Sequence, residues 1–153
     1  MTVGLYRAIR DDVLGLFNAA WAHPDVPVFW RSDDLEPRPD PSDVAHFMRN
    51  EVDFGRETIL AYGGGRATNL KAQFGSVNLR IFTARATANE DHALDLMHDA
   101  MAAFRSQRVV GSYDVGSDLS FVGDGSGFDA GPTEDGNWFM RGALVVFQYR
   151  FRG

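Results

Sequence analysis

The C-terminal stretch from Trp138 to Phe151 restricts the possible folds of this chain more than any other segment. Its residues alternate as in a β-strand, and both alternating sets are apolar. One set is Trp138, Met140, Leu144 and Val146, and the other is Phe139, Val145, Phe147, Tyr149 and Phe151. A strand with two apolar faces is typical of the centre of a sheet or of an interface. We therefore predict a long central strand at the C-terminus.

Two amphipathic helices are predicted from three- and four-residue spacings of apolar side chains. The first covers residues 5–21, where Leu5, Ile9, Val13 and Phe17 share one face. The second covers residues 90–105. Its predicted apolar stripe is Ala93, Leu94, Met97, Ala100, Met101 and Phe104. Because neither stripe has another large apolar partner, both helices are expected to pack on one face of a sheet.

Further strands are predicted where β-branched and aromatic residues alternate with polar ones. They are Val26–Trp30, Val44–Phe54, Gly75–Phe82, Arg108–Ser112 and Leu119–Val122. Residues 63–73 are predicted to form a glycine-rich connection and residues 123–136 an exposed loop. Helices and strands do not alternate regularly along the chain. We therefore predict an α+β fold with a mixed, mostly antiparallel sheet and two amphipathic helices packed on one face, in a single domain over residues 1–153.

Composition excludes several classes of function. The 153 residues suit one globular domain, and the absence of cysteine excludes disulfides, thiolate zinc sites and a cysteine nucleophile, which suits a reducing compartment. The sequence shows neither a signal peptide nor a membrane-spanning run, so we expect synthesis in the cytoplasm and no membrane partner. A net charge of −6 opposes sequence-specific binding to nucleic acid. Arg141, Arg150 and Arg152 are interpreted as solvated strand ends.

None of the candidate motifs for ligand binding or catalysis has the surrounding sequence that its function requires. Residues 125–130 match the letters of a dinucleotide fingerprint, but Gly131-Pro132 follows where a phosphate-binding helix would have to begin. His98 lies near Asp91 and Asp95 on one face of the second predicted helix and could in principle bind a divalent metal. A solvated helix face explains the same residues. Since no serine, histidine and carboxylate set can be assembled either, we expect no enzyme activity, no cofactor and no metal.

Aromatic residues are the remaining unusual feature, and core filling is their simplest explanation. An aromatic contact between proteins is the competing explanation, since such interfaces favour aromatics and arginine. The interface candidates are Phe29, Trp30, Trp138, Phe147, Tyr149, Phe151, Arg150 and Arg152.

The order of these segments resembles the phage tail terminator proteins, small subunits that form a ring on top of a long phage tail tube. The resemblance is carried by five segments: Phe17-Asn18-Ala19-Ala20-Trp21, Val26-Pro27-Val28-Phe29-Trp30, the strand Gly75–Phe82, the helix through Ala93 to Phe104, and Asp135-Gly136-Asn137-Trp138 leading into Val145-Val146-Phe147-Gln148-Tyr149. The match is loose between Arg31 and Gln73.

The resemblance implies a structural virion protein that closes into a homo-hexamer, caps the tail tube and joins it to the head. The implied partners are the major tail tube protein and a head-completion or neck protein. The implied location is the tail-neck region of the virion, after assembly in the bacterial host cytoplasm. The family offers no catalytic residue to carry over. Six copies at −6 each would carry −36. We therefore expect ring formation to depend on salt and the chain to stay monomeric at low ionic strength.

Two alternatives remain open. The first is another neck, tail-completion or head-tail connector protein, a nearby class with similar small α+β subunits. The second is a small-ligand binding domain that uses the aromatic sheet face as the wall of a pocket.

Overall fold

The computed structural model of the chain describes residues 3–30, 39, 41, 43–62, 69–85, 90–121, 126–133 and 136–153. These residues form two helices and seven strands. In chain order they are α1 (Leu5–Ala20), β1 (Val28–Trp30), β2 (His46–Ala61), β3 (Leu70–Ala84), α2 (Glu90–Ala102), β4 (Arg108–Val110), β5 (Asp118–Phe121), β6 (Ser126–Pro132) and β7 (Trp138–Arg152). Among the described helices, none is long and apolar enough to cross a membrane.

The strands form one mixed sheet in the order β1-β2-β3-β7-β5-β4, with β6 pairing to β7 beside this path. Only β1 and β2 pair in parallel, and the other pairings are antiparallel. β7 pairs with β3 along its whole length on one side. On its other side, it pairs with β6 near its start and with β5 near its end. The prediction of a long central C-terminal strand is confirmed.

Both helices pack on the same face of the sheet, which confirms the predicted α+β fold. The main core joins Val13 and Phe17 of α1 and Leu96 of α2 to alternate residues of β3 and β7, such as Leu79 and Phe147. The stripe predicted for α2 is wrong at one position. Leu94 is exposed and Leu96 is buried, because the sheet lies against the side of the helix that carries Leu96.

A smaller aromatic cluster lies on the opposite face of the sheet. Phe47 stacks on Phe82 with ring centroids 4.6 Å apart and meets the edge of Trp138 at 4.7 Å. Ala84 completes its buried part. β7 therefore contributes to the main core on one face and contributes Trp138 to this cluster on the other, where Val146 stays 37% exposed.

The hairpin of β2 and β3 is longer than the sequence indicates. β2 continues to Ala61 instead of ending at Phe54, and β3 begins at Leu70, within the predicted connection 63–73. Two irregularities in the register, after Phe54 and after Ile59, explain the difference. A bulge inserts an extra residue and changes which side chains face the core, so the alternation in the sequence is interrupted there. Residues 63–68 lie outside the described residues.

The predicted loop 123–136 contains a strand. Residues 126–132 form β6 and pair with the first half of β7, with a register irregularity after Asp129. Their glycine-rich composition is typical of turns, and pairing with the open side of β7 makes them a strand. No nucleotide-binding turn followed by a helix is formed by residues 126–132.

Candidate functional site

Five of the eight predicted interface residues lie in the interior of the subunit. Trp30, Trp138, Phe147, Tyr149 and Phe151 are all at most 6% exposed. A side chain that is packed inside its own subunit cannot contact a neighbour, so core filling accounts for these five. Core filling was the simplest explanation of these aromatic residues in the sequence.

The other three candidates reach the surface. Phe29 is half-buried, and its ring meets Phe47 edge-on at 6.2 Å. Arg150 is half-buried at the end of β7, and Arg152 is exposed. An interface role for these three stays a prediction.

Tyr149 connects α1, β7 and the turn before β5. Its hydroxyl donates a hydrogen bond to the carboxylate of Asp12 at 2.8 Å and accepts one from the backbone amide of Tyr113 at 3.2 Å. Burial raises the pKa of Tyr149 above its ordinary value. Gly111 makes room for the ring, since a Cβ there would lie 2.3 Å from the tyrosine oxygen. This hydroxyl therefore ties α1 and β7 to the residues that precede β5.

Three of the four histidines meet at one side of α2, although they come from distant parts of the sequence. The rings of His46 and His92 are 4.8 Å apart between centroids, and those of His23 and His92 are 6.4 Å apart. His23 Nε2 lies 2.7 Å from a carboxylate oxygen of Asp99, and His46 Nδ1 lies 3.0 Å from the hydroxyl of Thr83. Sequence reasoning missed this cluster, because no spacing along the chain signals it.

The electrostatic surroundings of His46 disfavour its charged form. Burial lowers the pKa of His46, the neighbouring His92 lowers it further, and Asp25 acts in the opposite direction. The His46 ring is 5% exposed. A proton added to His46 would therefore be placed in a poorly solvated site beside another histidine.

Acidification is expected to destabilise the fold through His46. The unfolded chain protonates His46 near its ordinary pKa of about 6.5, whereas the folded chain does so only at lower pH. The lowered pKa of His46 therefore contributes stability that is fully present above about pH 6.5. This stability is lost as the pH falls from about 6.5 towards the lower pKa of the folded state. Urea denaturation between about pH 8 and about pH 5 should show this decline, and His46→Gln should flatten it.

His98→Gln is the matched control, because His98 is an exposed histidine on α2. This variant should keep the pH dependence of the unmodified chain. If His46→Gln keeps it as well, another group is responsible for the decline.

The candidate metal residues do not form a compact site. Asp91, Asp95 and His98 are all exposed on α2. Across the described ranges, no group of three histidine or carboxylate side chains is close enough to hold a metal ion. Metal binding by these three residues has no support from the geometry.

The cavities offer limited room for a ligand. A groove of about 330 Å³ lies between the end of α1 and α2 beside His23 and Asp99, and another of about 200 Å³ lies beside Phe139 and Arg141. Arg141 is already paired with Glu90 at 3.0 Å. The aromatic wall expected for a ligand pocket is not available, because the rings of β7 that face the helices are buried by them.

Within the part of the chain that the structure describes, the sheet leaves strand edges unpaired at both ends of its strand order, in addition to the outer side of β6. β1 covers β2 only at Met48–Asn50, and no other strand of the described residues pairs with the outer edge of residues 51–61. β4 is the last strand at the other end. An unpaired strand edge exposes backbone donors and acceptors, so it can pair with another chain. The two edges are therefore the candidate functional surfaces of this fold.

Both edges expose apolar side chains. On and next to β2, Phe54, Ile59 and Leu60 are each at least 40% exposed. At the β4 end, Val110 is 85% exposed and Val115 is 99% exposed. Exposure of several large apolar side chains at strand edges is typical of surfaces that bind another protein.

Comparisons with known proteins support the fold of this chain. No protein-family model and no curated protein matches the sequence. Among solved structures, 17 chains match. One of them aligns over 99% of this chain and 99% of its own length, with a TM-score of 0.67 and 16% sequence identity, and its name describes no activity. At this identity the likeness shows the fold alone.

Proposed function

We propose that this chain is a tail-terminator subunit. It closes into a hexameric ring, caps the tail tube of a long-tailed phage or a phage-derived particle, and joins the tail to the head. Its partners are then five further copies of itself, the major tail tube protein and a head-completion or neck protein. Its role is structural, without catalysis.

The observation that carries the proposal is the pair of free sheet edges at opposite ends of the sheet. Ring closure uses heterologous contacts, in which each subunit offers two different patches, whereas a two-fold dimer uses the same patch twice. The β2 edge and the β4 edge differ in length and in sequence, as two such patches would. The order of segments from α1 to β7 supplies the resemblance to tail terminators in particular.

The proposal predicts closed hexamers and control of tube length. Native mass spectrometry should detect six copies per assembly at about 0.15 M salt and fewer at low ionic strength, because screening weakens the repulsion between chains of charge −6. Tubes polymerised from the major tail protein of the same particle should have a uniform length with this protein and lose that limit without it. Electron microscopy of negatively stained tubes measures both distributions.

Three outcomes would contradict the terminator function: a protein that stays monomeric in the presence of tubes, one that leaves tube length unchanged, and one that forms only two-fold dimers. A ring that binds purified heads and ignores tubes would favour the head-tail connector alternative. As a control, the purified protein is added back to the preparation of tube protein that lacked it. The uniform tube length must then return if the tube protein itself is intact.

A further inference from the structure

The pairing register places the two free edges at the same level along the strands. Val110 of β4 pairs with Asp118, Asp118 with Arg150, Arg150 with Ala72, and Ala72 with Thr58 of β2. One row of residues therefore crosses the sheet from the β4 edge to the β2 edge. If neighbouring subunits are related by rotation about an axis along the strands, the β4 edge of one meets the β2 edge of the next near Thr58.

The strand directions also suit this contact. The four pairings that connect β2 to β4 through β3, β7 and β5 are all antiparallel, so β2 and β4 run in the same direction. Rotation about an axis along the strands keeps strand direction. β4 of one subunit would therefore pair in parallel with β2 of the next.

One stretch of the β2 edge matches β4 in length. The irregularities after Phe54 and after Ile59 leave one regular stretch at the end of β2, the three residues Glu57–Ile59. β4 also has three residues, Arg108–Val110. The uncovered part of β2 also contains the regular stretch Glu51–Phe54, and the row through Thr58 places the incoming strand at Glu57–Ile59 instead.

The charges of the two edges are opposite. Residues 51–61 hold three carboxylates and one arginine, a net charge of −2, and residues 105–110 hold two arginines and no carboxylate, a net charge of +2. Glu57 pairs with Lys71 at 3.3 Å and Arg108 pairs with Asp118 at 3.1 Å within the subunit, yet the side chains of Glu57 and Arg108 stay 39% and 64% exposed. Complementary charge favours contact between unlike edges, and it disfavours pairing of either edge with its own copy.

We infer that the occupant of the β2 edge is the β4 edge of a second copy of this chain. The stretch Glu57–Ile59 pairs in parallel with the end of β4 of the neighbour, and Thr58 lies level with Val110, as the row across the sheet places them. Six such joints turn the separate sheets into one continuous closed sheet. The inference rests on the proposed hexameric ring and adds the strands, their direction and their register.

Cysteine cross-linking tests the joint directly, because the natural chain contains no cysteine. The variant carries Thr58→Cys and Val110→Cys, one on each edge. Within one subunit these positions are four strand spacings apart, about 19 Å at about 4.8 Å per spacing, so a thiol cross-linker shorter than this joins only different subunits. We expect a ladder of covalent products from dimer to hexamer under denaturing electrophoresis, with none beyond hexamer.

Single variants and a displaced pair are the controls. Thr58→Cys alone and Val110→Cys alone should give no ladder. In the proposed ring the β2 edge of one subunit meets only the β4 edge of the next, so two copies of the same cysteine do not meet. A pair of Asn18→Cys and Val110→Cys should give none either, because Asn18 is exposed on α1 in the helix layer. Cross-linked dimers from Thr58→Cys alone would overturn the inference in favour of two-fold pairing of β2 edges.

Charge reversal provides a second test. Arg105→Glu should weaken hexamer formation severalfold at about 0.15 M salt, where the ring is expected, because it removes one of the two positive charges at the β4 edge. Hexamers seen by native mass spectrometry without a cross-linked ladder would refute the strand pairing and leave the ring intact. Absence of hexamers, both alone and with tubes, would refute the proposed function itself.

Discussion

Phe17→Ala is expected to lower the free energy of unfolding by about 3–5 kcal/mol, the cost of removing a fully buried phenylalanine. Phe17 is completely buried. Its ring stacks on Trp21 at 5.2 Å and on Phe104 at 5.7 Å, and it meets the edge of Trp30 at 5.6 Å. The substitution therefore opens a cavity where α1, β1 and the end of α2 meet.

The consequence is large because domains of this size have only about 5–15 kcal/mol of stability in total. At about 2–4 °C per kcal/mol, the melting temperature should fall by about 6–20 °C. Thermal denaturation followed by circular dichroism measures this. Phe17→Leu keeps part of the volume and should lose less.

Tyr62→Ala is the matched control, since Tyr62 is an aromatic residue that is 82% exposed. Its loss should change stability by no more than about 0.5 kcal/mol. If Phe17→Ala is as mild as Tyr62→Ala, the aromatic core around α1 is not packed as described.

Gly75→Ala is expected to destabilise the fold by about 1–3 kcal/mol or more through overpacking. A Cβ at Gly75 would lie 2.4 Å from the backbone oxygen of Asp53 and 2.4 Å from the ring of Phe147. The Asp53 oxygen belongs to the paired backbone of β2, and Phe147 is fully buried, so neither can move away easily. The glycine is needed because the ring of Phe147 lies directly against the backbone of β3.

The same substitution at Gly15 should have the opposite sign. Gly15 lies inside α1, and apart from its chain neighbours and the backbone of its own helix no atom comes within 4 Å of an added Cβ. Alanine is a better helix former than glycine by about 1 kcal/mol, so Gly15→Ala should stabilise the chain by up to that amount. Urea denaturation of both variants measures the pair, and a gain in stability for Gly75→Ala would contradict the close contact with Phe147.

These stability effects bear on the assembly tests. Only a folded subunit can present the β2 and β4 edges, so Phe17→Ala and Gly75→Ala should reduce ring formation near their melting temperatures. Ring formation in turn stabilises the folded state by mass action, which should raise the melting temperature as protein concentration increases. Arg105→Glu should differ from both, because it weakens assembly at an exposed position that is not part of the core.

Much of the fold follows from local sequence periodicity. The helix predicted over 5–21 is α1, and Val77, Leu79 and Ile81 are buried in β3 as their strict alternation indicates. In these segments the chain has one regular period, and that period decides which side chains can share a face. The two apolar faces of β7 likewise predicted its central place, since both faces of a central strand need cover.

The tertiary structure decided which residues are core and which are surface. The sequence favoured core filling for the aromatic residues Trp30, Trp138 and Tyr149 but left an interface open, and they are buried because other elements cover them. The histidine cluster likewise arises from three elements that meet only on folding.

The end of β2 and the whole of β6 were also beyond the sequence. Bulges interrupt the alternation of β2, and residues 126–132 have a turn-like composition, so neither segment shows a strand period. Both become strands because a neighbouring strand offers unpaired backbone donors and acceptors that they satisfy. The sequence by itself determined the elements whose period is unbroken, and backbone pairing across the sheet decided the remaining strands and the position of the two free edges.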